Sequence, residues 1–257
     1  MPVDSSHQGL LIQACQGLGV AVSEAQGQAL FLFLNLVLEK NEVMNLTSIT
    51  EPKEAVLKHL VDSLSPLGLE PIQAQIASGQ TLDWADLGSG AGFPGLPLAI
   101  LCPQIRLHLV ESTGKKAHFL EISAAQMGLS KQVQVHNQRI ELAGAWFPRG
   151  TKPTSLRGQM DAVFVRGLSK LAAVIELALP LLKVGGILVA YKGPKAEDEL
   201  AAAKKAMTEL RCDLLENKVF TLPETGDGRS LLIFKKLADS PKIYPRLNGL
   251  PQSAPLL

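Results

Sequence analysis

At 257 residues, with 46% hydrophobic and 19% charged positions, the chain is long enough to bury a substantial core and too apolar to stay disordered. A net charge of +1 neither announces nor excludes nucleic acid, because a local basic face can sit inside a neutral total. Cys15, Cys102 and Cys212 are odd in number and lack metal-ligand spacing, so they read as buried thiols in a reducing compartment, with no metal site.

The N-terminus carries Asp4 and no Lys or Arg before Lys40, which does not fit a secretory signal. The apolar run Ala29–Leu38 is too short to span a membrane. The expectation is a cytoplasmic protein with no membrane partner.

Residues 1–75 read as a helical extension packed on the core. Leu10, Leu11 and Ala14 form one amphipathic set, ended by Gly17 and Gly19. Ser23 with Gln26 is a capping box for a helix to about Asn41, whose stripe Leu30, Phe31, Leu34, Val37 and Leu38 reads as core. After the polar break Asn45-Leu46-Thr47-Ser48-Ile49, a helix runs from about Pro52 to Leu64 and sets His59 and Asp62 three residues apart. Such a pair reads first as a structural hydrogen bond.

From residue 81 strands and helices alternate, the pattern of a parallel doubly wound sheet. Strands are predicted at 81–87, 105–110, 133–136, 162–165 and 187–191. Helices are predicted at 115–127, 171–182 and 197–210, with a looser segment over 144–159. Runs at 213–222 and 230–235, joined through Pro223 and Thr225-Gly226-Asp227-Gly228, read as an antiparallel hairpin. The division expected is 1–75, a core domain at 76–237, and a basic, Pro-rich, irregular tail at 238–257.

The organising stretch is Leu82–Leu101, LDWADLGSGAGFPGLPLAIL: a strand, a loop with Gly88, Gly90, Gly92 and Gly95, then an apolar helix. This is how an open α/β sheet builds a cofactor site at its carboxyl edge. A dinucleotide fingerprint counted from Gly88 fails at Phe93. Counted from Gly90 it is met, but Pro94 then offers no N–H to a phosphate, and Asp86 stands just before the loop where a diphosphate would be repelled. The loop therefore favours S-adenosylmethionine, whose amino and sulfonium groups are positive, over a nicotinamide. The expected fold is α/β: a Rossmann-like class I S-adenosylmethionine-dependent methyltransferase sheet with N-terminal helices and a C-terminal antiparallel hairpin.

Several strand-end residues carry candidate chemistry. Glu111 ends the second strand, where a carboxylate can accept from both ribose hydroxyls. Ile140 and Glu141, beyond the third strand, can hold an adenine face and its amino group. Arg166 ends the fourth strand, as a reacting-site group or a salt bridge to the sheet, and Lys192 ends the fifth. Lys192, Arg229, Lys235, Lys236, Lys242, Arg246 and Arg166 are candidates for a phosphate-binding face.

Together these pieces resemble the RsmG (GidB) family, bacterial methyltransferases of small-subunit ribosomal RNA. The resemblance rests on Asn45–Ile49, His59 with Asp62-Ser63, and above all Asp86–Pro97 in the form G-x-G-x-G-F-P-G. It continues through Glu111-Ser112, Lys115-Lys116, Arg139 with Glu141, Val165-Arg166, Tyr191-Lys192-Gly193, Arg229–Lys236 and the tail Tyr244-Pro245-Arg246 with Gly249, Pro251 and Pro255-Leu256. It implies methyl transfer from S-adenosylmethionine to N7 of one guanine in 16S rRNA, as free RNA or in the 30S particle. It also implies a cofactor site of Gly88, Phe93, Ile140, Glu141 and Arg166, with Glu111 on the ribose, and Lys192, Arg229 and Arg246 toward RNA. Two departures stand out: Glu111 replaces a frequent aspartate, and Gly167-Leu168-Ser169 replaces a small–aromatic–small run. Guanine N7 has a free lone pair, so its methylation requires no general base, and no particular catalytic residue is assigned. The competing readings are a methyltransferase of a small molecule or protein, a nicotinamide oxidoreductase, and a non-catalytic ribosome-assembly factor on the same fold.

Overall fold

The computed structural model describes residues 3–148 and 155–257. Seven strands form one sheet: β1 (Leu82–Leu87), β2 (Ile105–Val110), β3 (Val133–His136), β4 (Met160–Arg166), β5 (Leu182–Lys192), β6 (Cys212–Thr221) and β7 (Gly228–Lys236). Their order is β3-β2-β1-β4-β5-β7-β6. The first five are parallel, and β7 lies antiparallel between β5 and β6. The chain turns from β1 outward to β2 and β3, then returns beside β1 as β4. The carboxyl ends of β1 and β4 therefore frame the crevice where such sheets bind ligands.

The alternation predicted from residue 81 is thus observed, with two differences. β5 does not start at Ile187 but runs from Leu182 through Gly185-Gly186. A Cβ at Gly186 would lie 3.0–3.2 Å from the carbonyl oxygens of Lys183, Met160 and Asp161, and the β4–β5 register shifts at that level. Gly186 is a close backbone approach inside a strand, not its boundary. The third crossover is two short helices, Ala196–Ala202 and Lys204–Leu210, rather than one. The looser segment predicted over 144–159 lies partly outside the described residues.

The N-terminal helices cover one face of the sheet. Helix Gln8–Gly17 precedes helix Glu24–Met44, whose Ser23–Gln26 capping box forms as predicted and which ends at Asn45 in the left-handed region (φ 50°). Phe33, Leu34 and Val37 pack in one cluster with Leu57, Leu60 and Leu64, and with Trp84, Leu107 and Phe164 of the sheet. On the other face, helix Leu171–Ala178 is buried along its whole length. Tyr244 and Leu256 join that second cluster, so the tail is packed rather than irregular, and it includes a short helix, Leu250–Ser253. All three cysteines are buried and free, their thiols pushed up to about 12 by desolvation. Among the described residues no helix is long and apolar enough to cross a membrane.

The helix over 52–64 has a π-helical centre, Val56–Val61, between α-helical Pro52–Ala55 and Asp62–Leu64. A π turn takes more residues than an α turn, so positions three apart diverge around the axis. His59 and Asp62 accordingly do not meet. His59 Nε2 lies 2.8 Å from Thr47 Oγ1, which also accepts from the Ile49 N–H, while Asp62 turns toward β4 and β7.

Candidate functional site at the glycine loop

β1 is a short apolar strand with Trp84 and Leu87 wholly buried, and it stops where glycine begins. Gly88, Gly90 and Gly92 have φ of 72°, 55° and 98°, values that L side chains rarely adopt. The N–H groups of Gly88 and Ser89 both donate to the Val110 carbonyl at 2.9 and 3.2 Å, which hooks the loop onto the end of β2. A Cβ on Gly88 would come within 2.9 Å of Leu168 Cδ1 and 4.0 Å of Ile140 Cδ1. Leu168 and Ile140 therefore stand over the loop, from the ends of β4 and β3.

Glu111 meets the loop from the adjacent strand. Its Oε2 accepts from the Gly90 N–H at 3.0 Å and its Oε1 from the Thr113 N–H at 2.7 Å, and the residue is buried. Each carboxylate oxygen has a second lone pair, so the group is oriented by the backbone without being used up. Asp86 is a brace: it is buried, and its Oδ2 accepts from the Gly95 N–H at 3.1 Å. Burial pushes its carboxyl up to about 7.

On the far side of the loop, Phe93 is 6% exposed, stacked on His59 (centroids 4.6 Å, planes 9° apart) and tilted against Phe33 at 5.1 Å. The Arg166 guanidinium carbon lies 5.5 Å from the Phe93 centroid, and Arg166 Nη1 donates to Asp62 Oδ2 at 3.0 Å and to the Lys58 carbonyl at 3.1 Å. Burial and the nearby Arg166 hold His59 down at about 3, so its imidazole is neutral. This side of the crevice is a packed wall that joins the N-terminal helices to β4.

Gly88, Ile140 and Glu111 thus come together at the loop. Phe93 and Arg166 are neighbours of the loop, engaged with each other and with the N-terminal helices. Glu141 differs: its carboxylate Oε1 accepts from the Gly249 N–H at 3.0 Å and from Arg139 Nη2 at 3.1 Å, so it faces the C-terminal tail. Leu168 was marked in the sequence only by its departure from an aromatic pattern, and nothing local signals that it covers Gly88.

The three cations expected toward RNA are engaged inside the protein. Lys192 Nζ donates to the Ser169 carbonyl and to Glu199 Oε2, both at 2.7 Å. Arg229 sits between Asp62 Oδ1 and Asp227 Oδ2, each at 3.3 Å. Arg246 grips Glu176, which is 0% exposed, through Nε at 2.8 Å and Nη2 at 2.6 Å. Lys236 is also buried, donating to the Leu182 carbonyl, and desolvation lowers its ammonium to about 8. Each found a carboxylate or carbonyl that desolvation makes more favourable than leaving the charge bare.

The exposed cations are elsewhere on the same edge. Lys115, Lys170 and Lys195 lie just past the carboxyl ends of β2, β4 and β5, and no carboxylate pairs with them among the described residues. Among those residues no cluster of three or more potential ligands for a metal ion occurs.

The arrangement fits a cationic, phosphate-free ligand. The Glu111 carboxylate flanks the loop, and the following helix opens on Pro94 and Gly95, whose N–H is already taken by the enclosed Asp86. A diphosphate would meet negative charge and no free helix N-terminus there, whereas a sulfonium and ammonium would meet a complementary field.

Comparison with known proteins agrees. The family model described as rRNA small subunit methyltransferase G matches residues 26–225. Proteins of that name from Lactobacillus johnsonii and Deinococcus radiodurans are 41% and 42% identical to this chain. The first match covers 93% of this chain and 95% of the relative, the second 93% and 88%. A third, from Desulfitobacterium hafniense, is 37% identical over 98% of both chains. Among solved structures, a 16S rRNA (adenine(1408)-N(1))-methyltransferase from Catenulisporales acidiphilia superposes with a TM-score of 0.50 at 15% identity. That match covers 66% of this chain and 95% of the other and shows the shared fold. The glycine loop, the β7 strand set between β5 and β6, and full-length similarity converge on one assignment: this chain belongs to the rRNA small subunit methyltransferase G family.

Proposed function

We propose that this protein transfers the methyl group of S-adenosylmethionine to N7 of a guanine in 16S rRNA, in the cytoplasm. The observation that carries this reading is the meeting of the Gly88–Gly92 loop with Glu111 at the β1–β4 crevice, in a chain of this family. Bound there, S-adenosylmethionine supplies an electrophilic methyl group. The residues that would hold it are Gly88 and Gly90 by close backbone approach, Glu111 at the ribose, and Ile140 and Leu168 against its apolar faces.

The rest of the chemistry asks little of side chains. A bound S-adenosylmethionine would supply its methyl group to the guanine N7 lone pair, the S–C bond pair staying on sulfur and the positive charge passing to the base. No proton is transferred, so the site needs alignment rather than a general base. The buried titratable groups match this: Asp86 braces Gly95, and His59 is held neutral against Thr47 and Phe93. For RNA, Lys115, Lys170 and Lys195 supply exposed charge around the crevice. Base chemistry requires an unstacked or loop nucleotide, and a rim of cations suits backbone contact on either side of one.

The test is methyl transfer from labelled S-adenosylmethionine to rRNA and to 30S particles from a strain lacking the gene, mapped by borohydride–aniline cleavage at N7-methylguanine. One cleavage in 16S rRNA, absent with Gly88→Asp, is expected. Cofactor binding with no labelled RNA would overturn the RNA reading and leave a methyltransferase of another substrate.

A further inference from the structure

The chain segment Ile140–Gly144 forms one wall of the cofactor crevice, since Ile140 Cδ1 lies 4.0 Å from the Cβ position of Gly88. Five residues are too few to hold a helical turn by themselves, and its start closes through the Leu142 and Ala143 N–H groups on the Arg139 carbonyl, at 3.0 and 3.2 Å. One tie comes from the preceding segment, where the Leu156 N–H donates to the Ala143 carbonyl at 2.9 Å; the others involve the tail, at both ends. At the start, Glu141 Oε1 accepts from the Gly249 N–H. At the finish, Arg157 Nη1 donates both to the Gly144 carbonyl (2.9 Å) and to the Tyr244 carbonyl (2.6 Å), and its Nη2 to Ser240 and Pro241. Pro245 packs 3.4 Å from the Cβ position of Gly144. The tail is itself bolted to the body by Arg246 on the fully buried Glu176, with the Arg246 N–H on the same carboxylate at 2.9 Å.

We propose that the C-terminal tail is a positioning element for the cofactor: by clamping the 140–144 turn at both ends it sets Ile140 against Gly88, and Glu141 acts through the tail rather than as a ligand. This rests on the cofactor reading above. It gives the packed tail a task beyond stability, and it explains a buried carboxylate beside the crevice that points away from it.

The test is titration calorimetry with S-adenosylhomocysteine, which binds without reacting, together with amide hydrogen exchange over 140–144. Glu141→Ala removes the tie at the site; its partner Arg139 is 56% exposed, so no buried charge is stranded. Glu141→Gln keeps an acceptor for the Gly249 N–H. Arg246→Lys loosens the tail from a position outside the cofactor crevice. Glu141→Ala and Arg246→Lys are each expected to weaken binding about tenfold and speed exchange across the turn, with kcat at saturating cofactor within about twofold and Glu141→Gln near wild type. Folded variants that bind as wild type, whatever their melting temperature, would overturn the proposal and leave the tail purely structural. So would a Glu141→Ala defect that vanishes for an analogue with hypoxanthine in place of adenine, since that pattern marks direct contact with the exocyclic amine. Failure of the wild type itself to bind would instead refute the cofactor reading.

Discussion

Asp86→Asn is the sharpest test of the site's electrostatics. Asp86 is wholly enclosed, and desolvation raises its carboxyl from 3.8 to about 7. Between those values the folded protein holds a proton that the unfolded chain has released, so stability falls as pH rises through that window, by about 1.4 kcal/mol per unit. Asparagine removes the titration and keeps an acceptor for the Gly95 N–H. From pH 5 to pH 8 the wild type should lose about 3 kcal/mol that Asp86→Asn does not lose. Urea unfolding of both proteins, without cofactor, at the two pH values measures this as a difference of differences. Any fixed packing cost of the amide then cancels. A change under about 1 kcal/mol would show that Asp86 ionises as an ordinary surface carboxylate, and that the loop is more hydrated than its burial indicates.

Three further outcomes follow from the same geometry. Glu111→Ala strands the half-buried Gly90 N–H, while the N–H of exposed Thr113 can turn to water, so it should cost about 1–3 kcal/mol of stability and also weaken S-adenosylhomocysteine binding; unchanged calorimetric affinity would remove Glu111 from the site. Replacing Lys115, Lys170 and Lys195 together by alanine should lower the salt slope of 16S rRNA binding by about 2–3 and leave cofactor affinity alone; filter binding across a salt series reads this, and an unchanged slope would place the RNA elsewhere. Phe33→Ala removes a fully buried ring that packs on Phe93 and should cost about 3–5 kcal/mol in equilibrium unfolding; a cost below about 1 would mean that the N-terminal helices are not part of the same core.

Much of the architecture was legible because its causes are local. Alternating apolar runs and amphipathic stripes marked the strands and helices. The Ser23–Gln26 box formed as read, and the G-x-G-x-G-F-P-G loop needed glycine for its backbone angles whatever surrounded it. Where local signals misled, the reason was still backbone geometry. Gly185-Gly186 looked like a strand boundary, but at Gly186 three carbonyl oxygens crowd the place a Cβ would take. His59 and Asp62 looked like a pair, and the π-helical turn between them sends them to different partners.

The sequence by itself determined the order of elements, the glycine loop and the choice of a cationic cofactor over a diphosphate, because backbone conformation and the sign of nearby charge are short-range properties. Only the tertiary structure decided which charged residues are free. Arg246 finds Glu176 from 70 positions away, Glu141 finds Gly249 from 108, and Arg166 finds Asp62 from 104. A lysine or arginine looks the same in sequence whether it meets water or a buried carboxylate. Its role is set by the desolvation and the partner that folding brings to it, and those depend on contacts made across the whole chain.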